Sequence, residues 1–210
     1  MSLALSAPRE LSRSDQKKAA IIEAATQVFL RDGYGRANMD SIAQVAGVSK
    51  QTIYHHFGNK SDLFGAIIRA KCDRLLEPLE MPTESAMDLE GALASVARQF
   101  IDIMLAPSSL ALHRVLMGEV HRFPELGRMS YQIGPARIVA TIAAYLSRQG
   151  AAGRLDLPDA KFAAEQFYAM LTGHLQLRAL LGVEADPSPG QIERTIRHAV
   201  DTTLKIYAPH

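Results

Sequence analysis

One cysteine, Cys72, stands in a chain of 210 residues. A single thiol closes no internal disulfide and builds no cysteine-based metal knuckle, so a reducing cytoplasm is the expected compartment. Long apolar runs are also missing. The longest stretch free of Lys, Arg, Asp and Glu is Gln166 to Leu177, twelve residues, against about 18 for a membrane span. Met1 to Pro8 lacks the basic start and apolar core of a signal peptide. No membrane partner is expected. Short-period repeats, low-complexity tracts and sustained apolar–polar alternation are absent, which takes strands out of the reading. There is no Gly-rich phosphate loop, no H-E-x-x-H, and no nucleophile context around Cys72, which sits in an ordinary charged helix. These absences count against a helical enzyme, and no catalytic residue, metal ligand or cofactor is expected.

What is present is a globular composition, 48% hydrophobic and 21% charged. The net charge of +1 is unevenly spread. Residues 1–71 hold ten basic and six acidic side chains; residues 72–210 hold thirteen and sixteen. A basic first third on a mildly acidic remainder fits an anionic partner for the first part only.

Helical spacing runs through the whole chain. A loose arm is expected over 1–14. A helix follows from Asp15 to about Arg31, with Ile21, Ala24, Ala25, Val28 and Phe29 on one face and Gly33 at its end. Asn38 caps a short helix that Gly47 breaks, and Ser49 caps another through Phe57. Asn59 and Asp62 open a long helix to about Glu77, before Pro78 and Pro82. Further helices are expected at about 85–105, 109–121, 124–148, 159–181 and 188–207, with Pro135 kinking or splitting the third of these. The fold is all-α with about nine helices. It comprises the arm (1–14), a helix-turn-helix unit (15–60) and a larger helical body (61–210).

The stretch "AGVSKQTIYHHFGNKSDLF", Ala46 to Phe64, concentrates the chemistry. A short helix, a glycine turn and a second short helix are the parts of a helix-turn-helix. Ile42, Ala43 and Val48 can pack on Ile53 and Phe57. Ala43 and Gly47 are small where the helices would cross closely. With Ile53 and Phe57 inward, Gln51, Thr52 and His55 face outward, flanked by Lys50, Tyr54 and His56. That set holds donors, acceptors, a cation and flat rings, and no carboxylate, which suits phosphates and base edges. Lys60 opens the next helix, whose free N–H groups also suit a phosphate. His55 and His56 do not form a metal site by themselves, because adjacent helical residues diverge by about 100°.

The segment "NMDSIAQVAGVSKQTIYHHFGNKSDLF" resembles the DNA-binding region of TetR-family transcriptional regulators. The matching residues are Ile42-Ala43, Ala46-Gly47-Val48-Ser49, Thr52-Ile53-Tyr54, His56-Phe57, Lys60 and Leu63-Phe64. Ala24-Ala25, Phe29 and Gly33-Tyr34 match upstream. The resemblance implies a double-stranded DNA operator as partner. It places Asn38, Ser49, Lys50, Gln51, Thr52, Tyr54, His55 and Lys60 at the DNA, with Tyr54, His55 and Lys60 on phosphates. Ala37 departs from the family, which often has threonine there; Asn38 can supply the cap instead.

"HRVLMGEVHRFPELGRMSYQIGPARI" and "AAEQFYAMLTGHLQLRALLG" resemble the AefR-like class of TetR C-terminal domains. The likeness implies a regulatory ligand domain. Met104, Met117, His121, Tyr131, Tyr145, Phe167, Met170 and His174, with Phe123, form a soft, aromatic set with few charged handles. They read either as core or as the lining of a pocket for an apolar small molecule. His113, Met117 and His121 share helical spacing, but His113 and His121 are about 12 Å apart, too far to share an ion. Ile192, Ile196, Ala199, Val200, Thr203, Leu204 and Tyr207 form a stripe that can cover the chain's own core or a partner's. The resemblance implies a homodimer through the last two helices and favours the partner. The resulting expectation is a homodimeric repressor of a palindromic operator, released by a small apolar effector. A DNA-bound regulator controlled by a protein partner is the alternative.

Overall fold

The computed structural model describes residues 12–80, 89–184 and 186–209, apart from the side chains of 74–80. The chain divides into two compact units, Met1–Ala66 and Ile67–His210. Every regular element among the described residues is a helix, and there are ten.

In the first unit, α1 spans Arg13–Arg36, α2 Met39–Ala46 and α3 Lys50–Phe57, and α4 begins at Lys60. Ser12 caps α1, its Oγ accepting the Asp15 N–H at 3.1 Å. Arg13 and Ser14 are therefore helical; residues 1–11 of the expected arm lie outside the described residues. Ile21, Ala24, Ala25, Val28 and Phe29 form the buried stripe of α1. Gly33 leaves helical geometry at φ 75°, which a side chain would resist. That bend turns Tyr34 inward to stack on Phe29, and Phe64 meets both rings edge-on.

Asn38 supplies the cap of α2, its Oδ1 accepting the Ser41 N–H at 2.8 Å. Gly47 ends α2 at φ 64°, and the Val48 N–H then returns to the Ala43 carbonyl at 3.1 Å. A side chain at Gly47 would point into open space. The turn needs glycine for its left-handed backbone and not, as expected, for close helix crossing.

The second unit contains the rest of α4, which runs to Glu80 past Pro78, and α5 Leu89–Leu105, α6 Pro107–Glu119, α7 Pro124–Ile133, α8 Pro135–Ala151, α9 Ala160–Leu180 and α10 Pro189–Ile206. Pro82 and the expected start near 85 lie outside the described residues. Pro135 splits the expected helix 124–148 into α7 and α8. Pro107, Pro124, Pro135 and Pro189 each begin a helix, where their missing N–H costs nothing. Ser188 and Gln191 form a capping box on α10.

α8 lies along α9, and α10 packs on α5 and α9. Their shared core includes Leu93, Ala97, Ile101, Ile142, Leu146, Ala164 and Phe167. The α10 stripe enters this same core. Ile196, Ala199, Val200 and Tyr207 are buried members, and Ile192 and Leu204 pack against them. Thr203 is buried too, its hydroxyl donating to the Ala199 carbonyl at 2.8 Å. The expectation that this stripe faces a partner is corrected, because the chain itself covers it. Arg114 of α6 closes the end of α9, donating to the carbonyls of Ala179 and Leu180 at 2.7 and 2.9 Å.

Candidate nucleic-acid interface

Ile53 sets the rotation of α3. It is fully buried and is the only buried residue of that helix. Lys50, Gln51, Tyr54 and His55 consequently face solvent, with Thr52 and His56 half-buried. Ser49 starts the helix, its Oγ accepting the Thr52 N–H at 3.1 Å and lying 2.8 Å from Thr52 Oγ1. Both hydroxyls thus serve the cap. The His55 and His56 rings meet edge to face with centroids 5.3 Å apart. Among the described residues, no three His, Cys, Asp or Glu side chains gather as metal ligands.

Two lysines behave differently from the sequence reading. Lys50 Nζ pairs with Asp40 Oδ2 at 2.8 Å. That hydrogen bond, with a smaller Coulombic contribution, raises the lysine pKa. A carboxylate from α2 therefore stands beside the outward face, which was expected to have none. Lys60 Nζ donates to the carbonyls of Tyr34, Ala37 and Gly35 at 2.8, 3.0 and 3.4 Å and lies 4.6 Å from the Tyr34 ring centre. Expected on a phosphate, Lys60 instead ties down the turn between α1 and α2. The reason is local: the turn brings the three carbonyls to one place, and an ammonium has three donors to offer them.

An open groove runs beside α3. Its walls are Ser49, Gln51, Thr52, His55 and His56 on one side and Arg13, Ser14 and Lys17 of α1 on the other. The sequence reading missed the α1 side. Arg13 and Lys17 stand four apart at the start of a helix in the basic third of the chain, and that spacing was the available signal.

In the second unit the expected ligand residues separate. Met104, Tyr145 and Phe167 join the core, and Met170 packs on it. Met117 and Tyr131 are 60% and 58% exposed, and His121 and His174 are exposed as well. α6 ends at Glu119, so His121 lies beyond the helix that was to align it with His113 and Met117. Gly173 breaks helical geometry inside α9 just before His174. Burial lowers the His113 pKa and raises that of Cys72. Tyr168, not anticipated, packs its ring against Phe100 with centroids 5.2 Å apart. Burial pushes its hydroxyl up to about 12, with Cys72 and Tyr131 adding smaller effects.

A glycine-broken pair of short helices whose second member bares an amide, a phenol, imidazoles and a cation is the working part of a DNA-binding transcriptional regulator. Residues 21–67 match the family described as bacterial regulatory proteins, tetR family. Residues 91–209 match the AefR-like transcriptional repressor C-terminal domain. A TetR-family regulator from Mesorhizobium loti superposes with a TM-score of 0.78 at 31% identity, covering 94% of this chain and 100% of that one. The flavonoid-responsive regulator FrrA gives 0.74 at 36% identity, covering 93% and 98%. The transcriptional activator FasR of Mycolicibacterium smegmatis is 32% identical over 90 residues, which are 43% of this chain and 41% of that protein. The match thus spans less than half of that relative. The chain belongs to the TetR family of DNA-binding transcriptional regulators, and it is not an enzyme.

Proposed function

We propose that the protein is a homodimeric repressor that binds a near-palindromic operator and leaves it when an uncharged, largely apolar molecule enters the second unit. The exposed face of α3, fixed by the burial of Ile53, is the observation that carries the reading. Lys50, Gln51 and Tyr54 would meet bases and backbone in the major groove, and His55 a phosphate. Asn38, Ser49, Thr52 and Lys60 would hold the frame. The AefR-like repressor match supports repression.

With the α10 stripe used internally, a partner has the outer side of α9 left to meet. Phe162, Leu177, Leu181 and Val183 are exposed there or just beyond it. Gly173 has open space at its would-be Cβ, and Ala169 is small and exposed. Apolar and small residues on one flank suit close approach by a second copy.

The effector would lodge near Met104, Tyr145, Phe167 and Met170, where no charged side chain belongs to the set. FrrA, described as responding to flavonoids, supports an aromatic, uncharged molecule. Both units contain part of α4, and a shift of that helix would move one recognition helix relative to its copy. Half-sites demand a separation of about 34–36 Å or a multiple.

The test begins with genomic footprinting to find the operator. Uncharged aromatic compounds are then titrated into the protein–operator complex. An inducer should weaken operator binding about 5- to 150-fold, and the operator should weaken inducer binding by the same factor. Equal compound affinity with and without operator would remove it as the effector. Release by a protein partner alone would favour the alternative mechanism.

A further inference from the structure

The groove between α1 and α3 contains a charge surplus that the described residues do not neutralise. Seven Lys and Arg side chains fall among the described residues of the first unit. Five have internal partners. Lys18 pairs with Asp15, Arg31 with Asp32 and Lys50 with Asp40. Arg36 donates to the Asp32 carbonyl, and Lys60 to three carbonyls. Arg13 and Lys17 are the two with no partner among the described residues, and both line the groove. They stand one helical turn apart, so they share a face of α1. No carboxylate lines the groove among the described residues. Asp15, the acid nearest in sequence, is engaged by Ser12 and Lys18. The opposite wall adds hydroxyl, amide and imidazole groups from Ser49, Gln51, Thr52, His55 and His56.

We propose that this groove seats the sugar–phosphate backbone of the operator beside the bases that α3 reads, with Arg13 and Lys17 as its phosphate contacts. The assignment rests on α3 being the DNA-reading helix. From that it follows that the groove, one wall of which is α3, lies at the nucleic acid. Cations on the other wall with no partner among the described residues complement a polyanion, and they are sequence-blind. The effective interface is then wider than the helix-turn-helix. It includes the first turn and a half of α1, and it anchors each protomer whatever the base sequence.

The test uses the full chain and the salt dependence of duplex binding, measured on the operator and on a scrambled duplex. Each lost phosphate contact lowers the slope of log affinity against log salt by about 0.9. Arg13→Ala/Lys17→Ala should reduce the slope by about 2–4 for a dimer and weaken both duplexes by a similar factor. Arg13→Lys/Lys17→Arg should restore the slope. Both residues are exposed, so circular dichroism should show an unchanged fold. Gln51→Ala should alter base preference and leave the slope unchanged. An unchanged slope in the double alanine variant overturns the groove assignment while leaving DNA reading by α3 intact. Failure of the unaltered protein to distinguish its footprinted operator from the scrambled duplex overturns the α3 reading first.

Discussion

Lys60→Ala should loosen the turn between α1 and α2 before it does anything to DNA affinity. The ammonium is the common donor for the Tyr34, Gly35 and Ala37 carbonyls, with the Tyr34 ring beside it. A hydrogen bond to a charged group contributes about 1.5–3 kcal/mol. The contact at 3.4 Å is weak, and three bonds from one donor group do not add independently. The cation–ring contact adds about 0.5–1 kcal/mol. A loss of about 2–4 kcal/mol from this unit follows, since alanine removes the ammonium from all three carbonyls. A chain of two units need not unfold in one step, so a local probe is preferable to a melting curve. The Ala37 N–H donates to the Gly33 carbonyl at 3.1 Å inside the same turn. Its hydrogen exchange should quicken by about thirtyfold or more, the equivalent of about 2 kcal/mol. Lys60→Met, which keeps the stem over the ring, should lie between. Unchanged exchange at Ala37 together with weaker DNA binding would refute the reasoning and return Lys60 to the phosphates.

Gly47→Ala should cost about 1–2 kcal/mol through its φ of 64° alone, since the space is open; Gly47→Asn should cost less in the same denaturation assay. Arg114→Ala should free the Ala179 and Leu180 carbonyls and destabilise the second unit by about 1–3 kcal/mol, with faster amide exchange at the end of α9. Tyr168 is held neutral up to about 12, whereas an unfolded tyrosine ionises near 10. Its stabilising effect is therefore complete below pH 10 and is lost as pH rises toward 12, by up to about 2–3 kcal/mol. Tyr168→Phe should flatten that part of the stability–pH curve. Gly173→Leu, whose Cβ would meet nothing among the described residues of the chain, should yield monomers by sedimentation if α9 forms the dimer.

Local signals survived the passage from sequence to structure best. Asn38 and Ser49 cap the helices their side chains announce, and Pro135 divides a helix for want of an N–H. Asymmetric patterns fared worse. The α10 stripe declares an apolar face but not whose core it joins, and it joins its own. Met117 and Tyr131 were grouped by chemical kind, yet kind does not decide which side of a helix is inward. Lys60 was read by its place at a helix start, and that place does not announce the carbonyls it holds more than twenty residues upstream. The α1 wall of the groove needed three dimensions, since Arg13 and His55 are 42 positions apart and meet only after α1 and α3 are packed.

The anchoring of α3 by one fully buried side chain has a consequence for how such a protein can diverge. Ile53 alone fastens the helix at full depth, and the cap at Ser49 holds its start. Gln51, Tyr54 and His55 are exposed, and exposed substitutions usually change stability by no more than about 0.5 kcal/mol. A duplicated copy could therefore drift at those three positions, trying new recognition surfaces while the domain beneath stays folded. Selection can act on the outward residues and on Ile53 almost as if they were separate genes.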